Sequence, residues 1–199
     1  MWAEILITVL VGYFLGNHNG SVVISRLIAN DDVRSHGSGN AGLTNFYRNY
    51  GPRYAALVLA LDALKMVAAV VLTCVFMGWA PEAKLWGGLF CALGHIFPVT
   101  FRFKGGKGIL SGVTLLLMLD LRIGLICLAV FAVLVASTRY ISLGSIVGSA
   151  LAPLLFLVFY WGHWFAFVLI VLTASLLVWS HRGNIKRLLN GTESKFSFQ

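Results

Sequence analysis

Three cations and a glycine pair stand together in the segment FRFKGGKGIL, which lies between two long apolar runs. Arg102, Lys104 and Lys107 bring positive charge, and Gly105 and Gly106 allow the backbone between the lysines to bend tightly. Such a loop can bind a phosphate group through charge and through backbone N–H donors. The pattern predicts an anion site at the edge of a membrane core.

A second polar segment, SHGSGNAGLTNFYRNYG, combines glycines with neutral donors and one arginine. Glycines permit conformations in which successive N–H groups point at one anion. Arg48 can bind phosphate through two parallel N–H donors. The neutral donors of this segment are Ser38, Asn40, Thr44 and Asn45, and its central glycine is Gly39.

Two further segments, TRYISLGS and HRGNIKRLLNGTE, also pair cations with hydroxyl, amide or imidazole groups, and GHIFP brings His95 just before the lysine loop. His181 and Asn184 are three residues apart, so they are neighbours on one face of a helix. Arg139 and Ser142 are the matching donors of the third segment. Four separate segments therefore offer phosphate-binding groups.

The composition shows in what kind of protein these segments sit. Hydrophobic residues make up 59% of the 199 residues and charged residues 11%, whereas soluble domains have about half and about a quarter. The chain is therefore expected to be an all-α, polytopic membrane protein in a single domain, residues 1–199. Its formal net charge of +8 favours anionic partners, either lipid headgroups or small phosphates, and nothing in it points to nucleic acid or to an obligate protein partner.

Apolar runs between charged interruptions predict about seven transmembrane helices. The fourth and fifth runs are short, and they are either separate helices or one re-entrant pair around LDLRIG. The predicted spans are 3–27, 54–77, 84–100, 109–119, 123–137, 143–160 and 163–179.

The distribution of cations predicts the orientation. If the spans alternate, twelve of the 15 Lys and Arg residues lie on one face, which the positive-inside rule makes cytoplasmic. The N-terminus is then outside and the C-terminus is inside. The four polar segments emerge together at the cytoplasmic face, where they can build one site.

Several catalytic motifs are absent from the chain. It has no GxSxG, no HExxH and no GxxxxGK[ST], and FKGGKG is therefore not a Walker A loop. Cys74, Cys91 and Cys127 lie in apolar runs without ligand spacing. These absences predict an activity without metal or other cofactor.

In their order and spacing, SGNAGLTNFYR, GHIFPVTFRFKGGKG, TRYISLGSI and HRGNIKRLLNGTE resemble the signature motifs of the bacterial acyl-phosphate:glycerol-3-phosphate acyltransferase family. The resemblance implies a seven-helix inner-membrane enzyme. Such an enzyme transfers an acyl group from acyl phosphate to the 1-hydroxyl of glycerol 3-phosphate. The products are lysophosphatidic acid and inorganic phosphate, in the first step of phospholipid synthesis, and neither metal nor acyl-CoA is needed.

The resemblance also implies roles for the residues of these motifs. Ser38, Arg48 and Lys104 would act at the acyl phosphate and the reacting carbonyl, and His181 would hold glycerol 3-phosphate. The hydroxyl proton would go either to the substrate's own phosphate or to His181. The expected substrate-binding residues are Gly39, Asn40, Thr44, Asn45, His95, Gly105, Gly106, Lys107, Arg139, Ser142 and Asn184.

Two other readings compete with this one. An organophosphate or anion transporter would also use basic, glycine-rich loops, but transporters place substrate near the midplane between repeats. The spans here contain few charges besides Asp62 and Lys65, which are three apart and can pair with each other. Another lipid-phosphate transferase or a phosphatase is the second rival.

The sidedness of the chain is directly testable. A reporter fused after Gln199 should be cytoplasmic, and one inserted in the 78–83 loop should be external, because the cation-rich segments stay inside. Reporter activity in intact cells measures both positions. Finding both reporters on one side would contradict a site shared by the four segments.

Overall fold

The computed structural model describes residues 2–196. All regular secondary structure assigned in that range is helical, as the composition predicts. Single-turn 3-10 helices occur at Val33–Ser35 and Val99–Phe101. The ten α-helices are α1 Trp2–Asn17, α2 Gly20–Ala29, α3 Leu43–Tyr50, α4 Pro52–Met77, α5 Pro81–Ile96, α6 Ile109–Leu119, α7 Leu121–Thr138, α8 Ile141–Phe159, α9 Trp164–Ser180 and α10 Arg182–Leu189.

Four stretches within residues 2–196 are long and apolar enough to cross a membrane: 3–29, α4, α7 and α8. The pair α9 and α10, bent by 56°, makes a fifth if it is counted as one span. The predicted third and fourth spans correspond to α5 and α6, with 16 and 11 residues, which is less than the about 20 residues of a perpendicular span. The count of seven stays a prediction.

The predicted first span is divided into two helices. Asn19 ends the break between them, because its side chain accepts a hydrogen bond from the N–H of Val22 and caps α2. Such a side-chain oxygen satisfies one of the N–H groups that a helix start leaves without a partner. The break lies at buried residues, since the exposed fractions of Asn17 and Asn19 are 2% and 0%.

A buried ion pair on α4 holds this break. The Lys65 ammonium lies 2.7 Å from Asp62 Oδ1, 2.7 Å from the carbonyl oxygen of His18 and 3.4 Å from that of Gly16. Asp62 in turn accepts the N–H of Gly20, 3.0 Å away. The expected pairing of Asp62 with Lys65 is confirmed, and the pair also satisfies the backbone at the end of α1 and the start of α2.

Glycines let α1 and α5 pack with their backbones in contact. A Cβ on Gly16 would collide with the carbonyl of Cys91, and one on Gly94 with the carbonyl of Tyr13. Small residues allow this close approach in membrane bundles. It places the C-terminal end of α5 beside the broken helix, where the polar segments meet.

The short fourth and fifth predicted spans are two helices, α6 and α7, joined at Asp120. The Asp120 side chain accepts the N–H of Arg122 and so caps α7. It also forms an ion pair with the Arg122 guanidinium at 2.7 Å and accepts the Tyr160 hydroxyl. This cap separates the helices at one residue.

Candidate active site

A cavity of about 930 Å³ opens where the four polar segments come together. One wall is polar, and another is formed by apolar side chains of α6 and α7. The sequence-predicted residues that line it are Ser38, Asn40, Thr44, Asn45, Arg48, His95, Lys107, Ser142, His181 and Asn184. The structure thus brings ten of the expected residues to one place.

Asn45 shapes the first glycine loop. Its Oδ1 accepts the N–H of Ser38 at 3.0 Å, and its Nδ2 lies 3.0 to 3.1 Å from the carbonyls of Val33, His36 and Asn40. The amide is therefore occupied by the loop itself. Asn45 thus positions the loop, and its contact with substrate stays a prediction.

Gly39 and Arg139 do not line the cavity. The N–H of Gly39 donates to the carbonyl of His36, and Gly39 has a φ of 68° that favours glycine. Arg139 ends α7 with an exposed side chain, and its carbonyl accepts the N–H of Phe196. The structure therefore does not bring Gly39 and Arg139 together with the other expected residues at the cavity.

The glycine pair of the lysine loop has a different role from the one expected. The N–H of Gly105 donates to the carbonyl of Ile96, and that of Gly106 to the carbonyl of His95. A Cβ on Gly105 would also collide with the carbonyl of His95. These glycines pack the loop against the end of α5, so their N–H groups are not free to bind phosphate.

Lys104, which was expected to act at the reacting carbonyl, lies outside the cavity. Arg102 and Phe103 have φ values of 56° and 58°, and these two left-handed residues turn the chain outward. The side chain of Lys104 is exposed, and its carbonyl is held by Arg34 at 3.1 Å. The chain returns toward the cavity at the glycine pair, Gly105 and Gly106. The next lysine, Lys107, therefore faces the cavity.

Lys107 is the cation of the lysine loop that reaches the cavity. Burial lowers the pKa of Lys107 to about 8, Glu193 raises it in part, and Arg187 and Arg48 lower it further. Within residues 2–196 its ammonium has no hydrogen-bond partner. A half-buried ammonium beside two guanidinium groups is suited to bind a doubly charged anion.

The N-terminus of α6 follows Lys107 directly. Gly108, Ile109 and Leu110 line the cavity, and no side chain caps this helix start. The first N–H groups of a helix lack intrahelical partners and carry a partial positive charge. Together with Lys107 they form a group of donors suited to an anion, a role that the sequence assigned to the glycine pair.

Glu193 organises the opposite wall, and no role was predicted for it. Its Oε1 accepts hydrogen bonds from Ser142 at 2.7 Å and Asn184 at 2.6 Å, and its Oε2 accepts one from Arg187 at 2.7 Å. Burial raises the pKa of Glu193, but these three hydrogen bonds outweigh burial and lower it. In the sequence, the feature that pointed to Glu193 was its place at the end of the segment HRGNIKRLLNGTE, three residues after Asn190. The chain has left helix α10 there.

His181 lies at the bend between α9 and α10 with its ring buried. Its Nδ1 is 2.8 Å from the carbonyl oxygen of Leu177. A carbonyl can only accept, so Nδ1 carries the proton and Nε2 of the neutral ring keeps its lone pair. His181 and Asn184, which were expected to be neighbours on one helical face, both line the cavity.

Within residues 2–196, no group of three or more His, Cys, Asp and Glu side chains is arranged to hold a metal ion. The cysteines at 74, 91 and 127 are buried and free. Apart from the carboxylates of Asp62 and Glu193, the polar side chains of the cavity are cations, amides, imidazoles and hydroxyls, which can donate hydrogen bonds to anions.

Comparison with known proteins decides the family. The family model described as glycerol-3-phosphate acyltransferase matches residues 6–191. This chain belongs to that family.

Relatives cover the chain almost completely. Glycerol-3-phosphate acyltransferases from Thermoanaerobacter sp. strain X514 and Clostridioides difficile strain 630 are each 40% identical, over 96% of this chain and 94% of theirs. The crystal structure of PlsY, an integral membrane glycerol 3-phosphate acyltransferase, in its glycerol 3-phosphate form superposes with a TM-score of 0.89 at 33% identity, covering 97% of this chain and 96% of that one. Its lysophosphatidic acid form gives 0.87 at 32% identity, covering 97% and 95%.

The different positions of Lys104 and Lys107 allow a first test of phosphate binding in the cavity. Lys107→Gln should weaken binding of inorganic phosphate about 10- to 100-fold, because a charge-assisted hydrogen bond contributes roughly 1.5–3 kcal/mol. Lys104→Gln is the matched control and should change affinity by less than about twofold. Isothermal titration of the purified protein measures both, and equal losses would contradict the inward position of Lys107.

Phosphate binding should also depend on pH through Lys107. Its pKa is lowered to about 8, so the ammonium is charged below that pH and becomes neutral above it. Affinity for inorganic phosphate should therefore fall as the pH rises from about 8 to 9.5. The Lys107→Gln variant should show a flat profile over this range, and an equal decline in both proteins would assign the effect to another group.

Proposed function

We propose that this protein transfers a fatty acyl group to the 1-hydroxyl of glycerol 3-phosphate and releases 1-acyl-glycerol 3-phosphate, which is lysophosphatidic acid. The family assignment supports this function, as do the two PlsY structures in the glycerol 3-phosphate and lysophosphatidic acid forms. The observation that carries the proposal is one cavity with both a phosphate-suited and an apolar wall. Such a cavity suits a reaction whose acceptor is water-soluble and whose product is amphiphilic.

The proposed architecture is a single membrane domain over residues 1–199 with seven spans. The protein lies in a bacterial inner membrane, and its C-terminus is on the cytoplasmic side. The cations and the cavity lie on the same four segments, which supports an active site at the cytoplasmic face. Glycerol 3-phosphate would then enter from water, and the acyl chain would remain in lipid beside Leu128 and Phe131.

We propose acyl phosphate as the donor. Its mixed anhydride has phosphate as a good leaving group, so positioning and charge stabilisation matter more than strong base catalysis. The hydroxyl oxygen of the acceptor forms the new ester bond, the bond between carbonyl carbon and phosphate oxygen breaks, and inorganic phosphate leaves. No metal or other cofactor enters this scheme.

Each part of the cavity receives a role in this proposal. Ser38 and Arg48 bind the donor phosphate beside the N-terminus of α3, and Asn40 and Thr44 add neutral donors. Lys107 and the first turn of α6 stabilise the charge that develops as the carbonyl is attacked. On the opposite wall, the acceptor phosphate contacts His181 and the group organised by Glu193, which consists of Ser142, Asn184 and Arg187.

The hydroxyl proton has two possible acceptors at this site. The two carboxylates lining the cavity are committed, Asp62 to Lys65 and Glu193 to its three donors. What remains are the lone pair on His181 Nε2 and the phosphate of glycerol 3-phosphate, with a second pKa of about 6. Both are weak bases near neutral pH, which suits a donor with a good leaving group.

The transporter reading has less support. Asp62 and Lys65 are bound to each other and to the backbone at the break between α1 and α2. They are thus structural charges rather than a free ion site at the midplane. The family assignment separates the protein from the phosphatase reading.

An assay with the purified protein tests the proposal. Acyl phosphate and glycerol 3-phosphate together should give lysophosphatidic acid and an equal amount of phosphate, with little phosphate when the acceptor is omitted and no effect of EDTA. Arg48→Gln should lower turnover about 10²- to 10³-fold, because it removes a charge-assisted donor. Arg53→Gln, at an arginine beside Tyr54 outside the cavity, is the matched control.

The outcomes of this assay separate the rivals. Phosphate release that does not need the acceptor would show a phosphatase. Activity with acyl-CoA but not with acyl phosphate would refute the proposed donor while leaving the acyltransferase function standing. Absence of any lysophosphatidic acid with either donor would overturn the function itself.

A further inference from the structure

A buried group of three ionisable side chains lies behind the cavity: Asp62 and Lys65 of α4 and His95 in the last turn of α5. Their exposed fractions are 2%, 7% and 4%. Asp62 and His95 line the cavity, and Lys65 stands behind them. His95 was expected to bind substrate, but neither Asp62 nor Lys65 has a role in the reaction described above.

The hydrogen bonds of Lys65 determine the protonation of His95. The ammonium has three N–H groups and three acceptors at 2.7 Å: Asp62 Oδ1, the carbonyl oxygen of His18 and Nδ1 of His95. An ammonium has no lone pair, so Nδ1 must be the acceptor in the third bond. A neutral imidazole carries one N–H group, and the proton of His95 is therefore on Nε2.

The Nε2–H group has no partner among residues 2–196. It lies where the two loops meet, since a Cβ on Gly106 would collide with His95 Nε2 and would lie 2.6 Å from the carbonyl oxygen of Ala41. That carbonyl oxygen accepts a hydrogen bond from the side-chain amide of Asn19 at 2.9 Å, and no hydrogen bond joins it to His95 Nε2 in the described part of the chain. The absence of a side chain at Gly106 thus leaves this donor accessible from the cavity.

We propose that Lys65, oriented by Asp62, is a positioning residue that fixes His95 as a neutral donor through Nε2–H to the phosphate-bearing substrates. This inference rests on the proposed function. A neutral ring with a fixed N–H can stabilise negative charge on an oxygen without giving up its proton. An imidazolium at this place would exchange its proton with the phosphate groups beside it.

The other ionisable groups around the ring do not compete for Nδ1. Helices α6 and α9 carry no ionisable side chains. From α1, the Tyr13 hydroxyl donates to the carbonyl of Phe97 at 2.7 Å. Cys91 lies one turn earlier on α5 and is buried, and Lys107 lines the same cavity beyond the loop. Lys65 alone is hydrogen-bonded to His95 Nδ1 within the described part of the chain.

Nitrogen NMR of the protein labelled with ¹⁵N-histidine tests the protonation directly. One ring should show a protonated Nε2 and an unprotonated Nδ1 that do not change between about pH 5 and 8, although an ordinary histidine titrates there. The signal should vanish in His95→Gln and persist in His163→Gln, a control at a histidine beside Glu82. A wild-type His95 ring that titrates in this range or carries its proton on Nδ1 would overturn the proposal.

Kinetics test whether this proton matters. His95→Leu should lower kcat about 10²-fold, and His95→Gln should lose less, because its amide can still donate from the same position. Lys65→Met should lower kcat with a new acidic limb in the pH profile. When Lys65→Met is added to His95→Gln, kcat should fall little further, since the two residues act as a unit.

Other results would count against the proposal. Fully additive losses in the double variant would make Lys65 a purely structural residue. Equal kcat values in His95→Leu and His95→Gln would remove the role of the N–H donor. If Lys65→Met does not fold, the wild-type spectrum and the pair of His95 variants still decide. Absence of acyl transfer by the wild-type protein would refute the proposed function. Even then, a shift of the Nε2–H signal on addition of inorganic phosphate would show that His95 donates to phosphate.

Discussion

The ion pair between Asp62 and Lys65 is the interaction on which the arrangement of the site depends. Inside a bundle of low polarity, two charges cost more to bury than they gain unless their remaining donors and acceptors are satisfied. Here they are satisfied by the backbone of the break between α1 and α2 and by His95. Loss of one partner would leave an uncompensated charge, at a cost of roughly 3–5 kcal/mol.

The break has a structural consequence for the cavity. After α2 the chain enters the segment that carries the first glycine loop, and the carbonyl of Ala41 in that loop is bound by Asn19 from the break. The close contact of α1 with α5 at Gly16 and Gly94 brings the lysine loop to the same place. One buried pair thus links two loops that are about 60 residues apart in the sequence.

Two polar side chains then organise the two walls. Asn45 uses its amide to hold the first loop, and Glu193 collects Ser142, Asn184 and Arg187 on the other side. Asn45 and Glu193 are themselves occupied by these hydrogen bonds, but each fixes the direction of neighbouring groups that face the cavity. Donors held in advance stabilise a developing charge without the cost of reorientation during the reaction.

The fold class, the family and the segments that form the site all follow from the amino-acid sequence without the structure. Composition and apolar runs are properties of the chain that need no folding, so they predicted a helical membrane protein correctly. The motif order identified the acyltransferase family, and ten of the expected residues line the cavity. The pairing of Asp62 with Lys65 followed from their spacing on one helix.

The direction in which each side chain faces, by contrast, depends on how the helices pack. Lys104 and Lys107 are equivalent in the sequence, but the left-handed residues Arg102 and Phe103 turn one of them outward. The N–H groups of Gly105 and Gly106 are used by carbonyls at the end of α5, which no local pattern reveals. The contacts of Lys65 join residues 18, 62 and 95. Such contacts depend on the packing of helices distant in the sequence, whereas motifs and periodicity report only on neighbours along the chain.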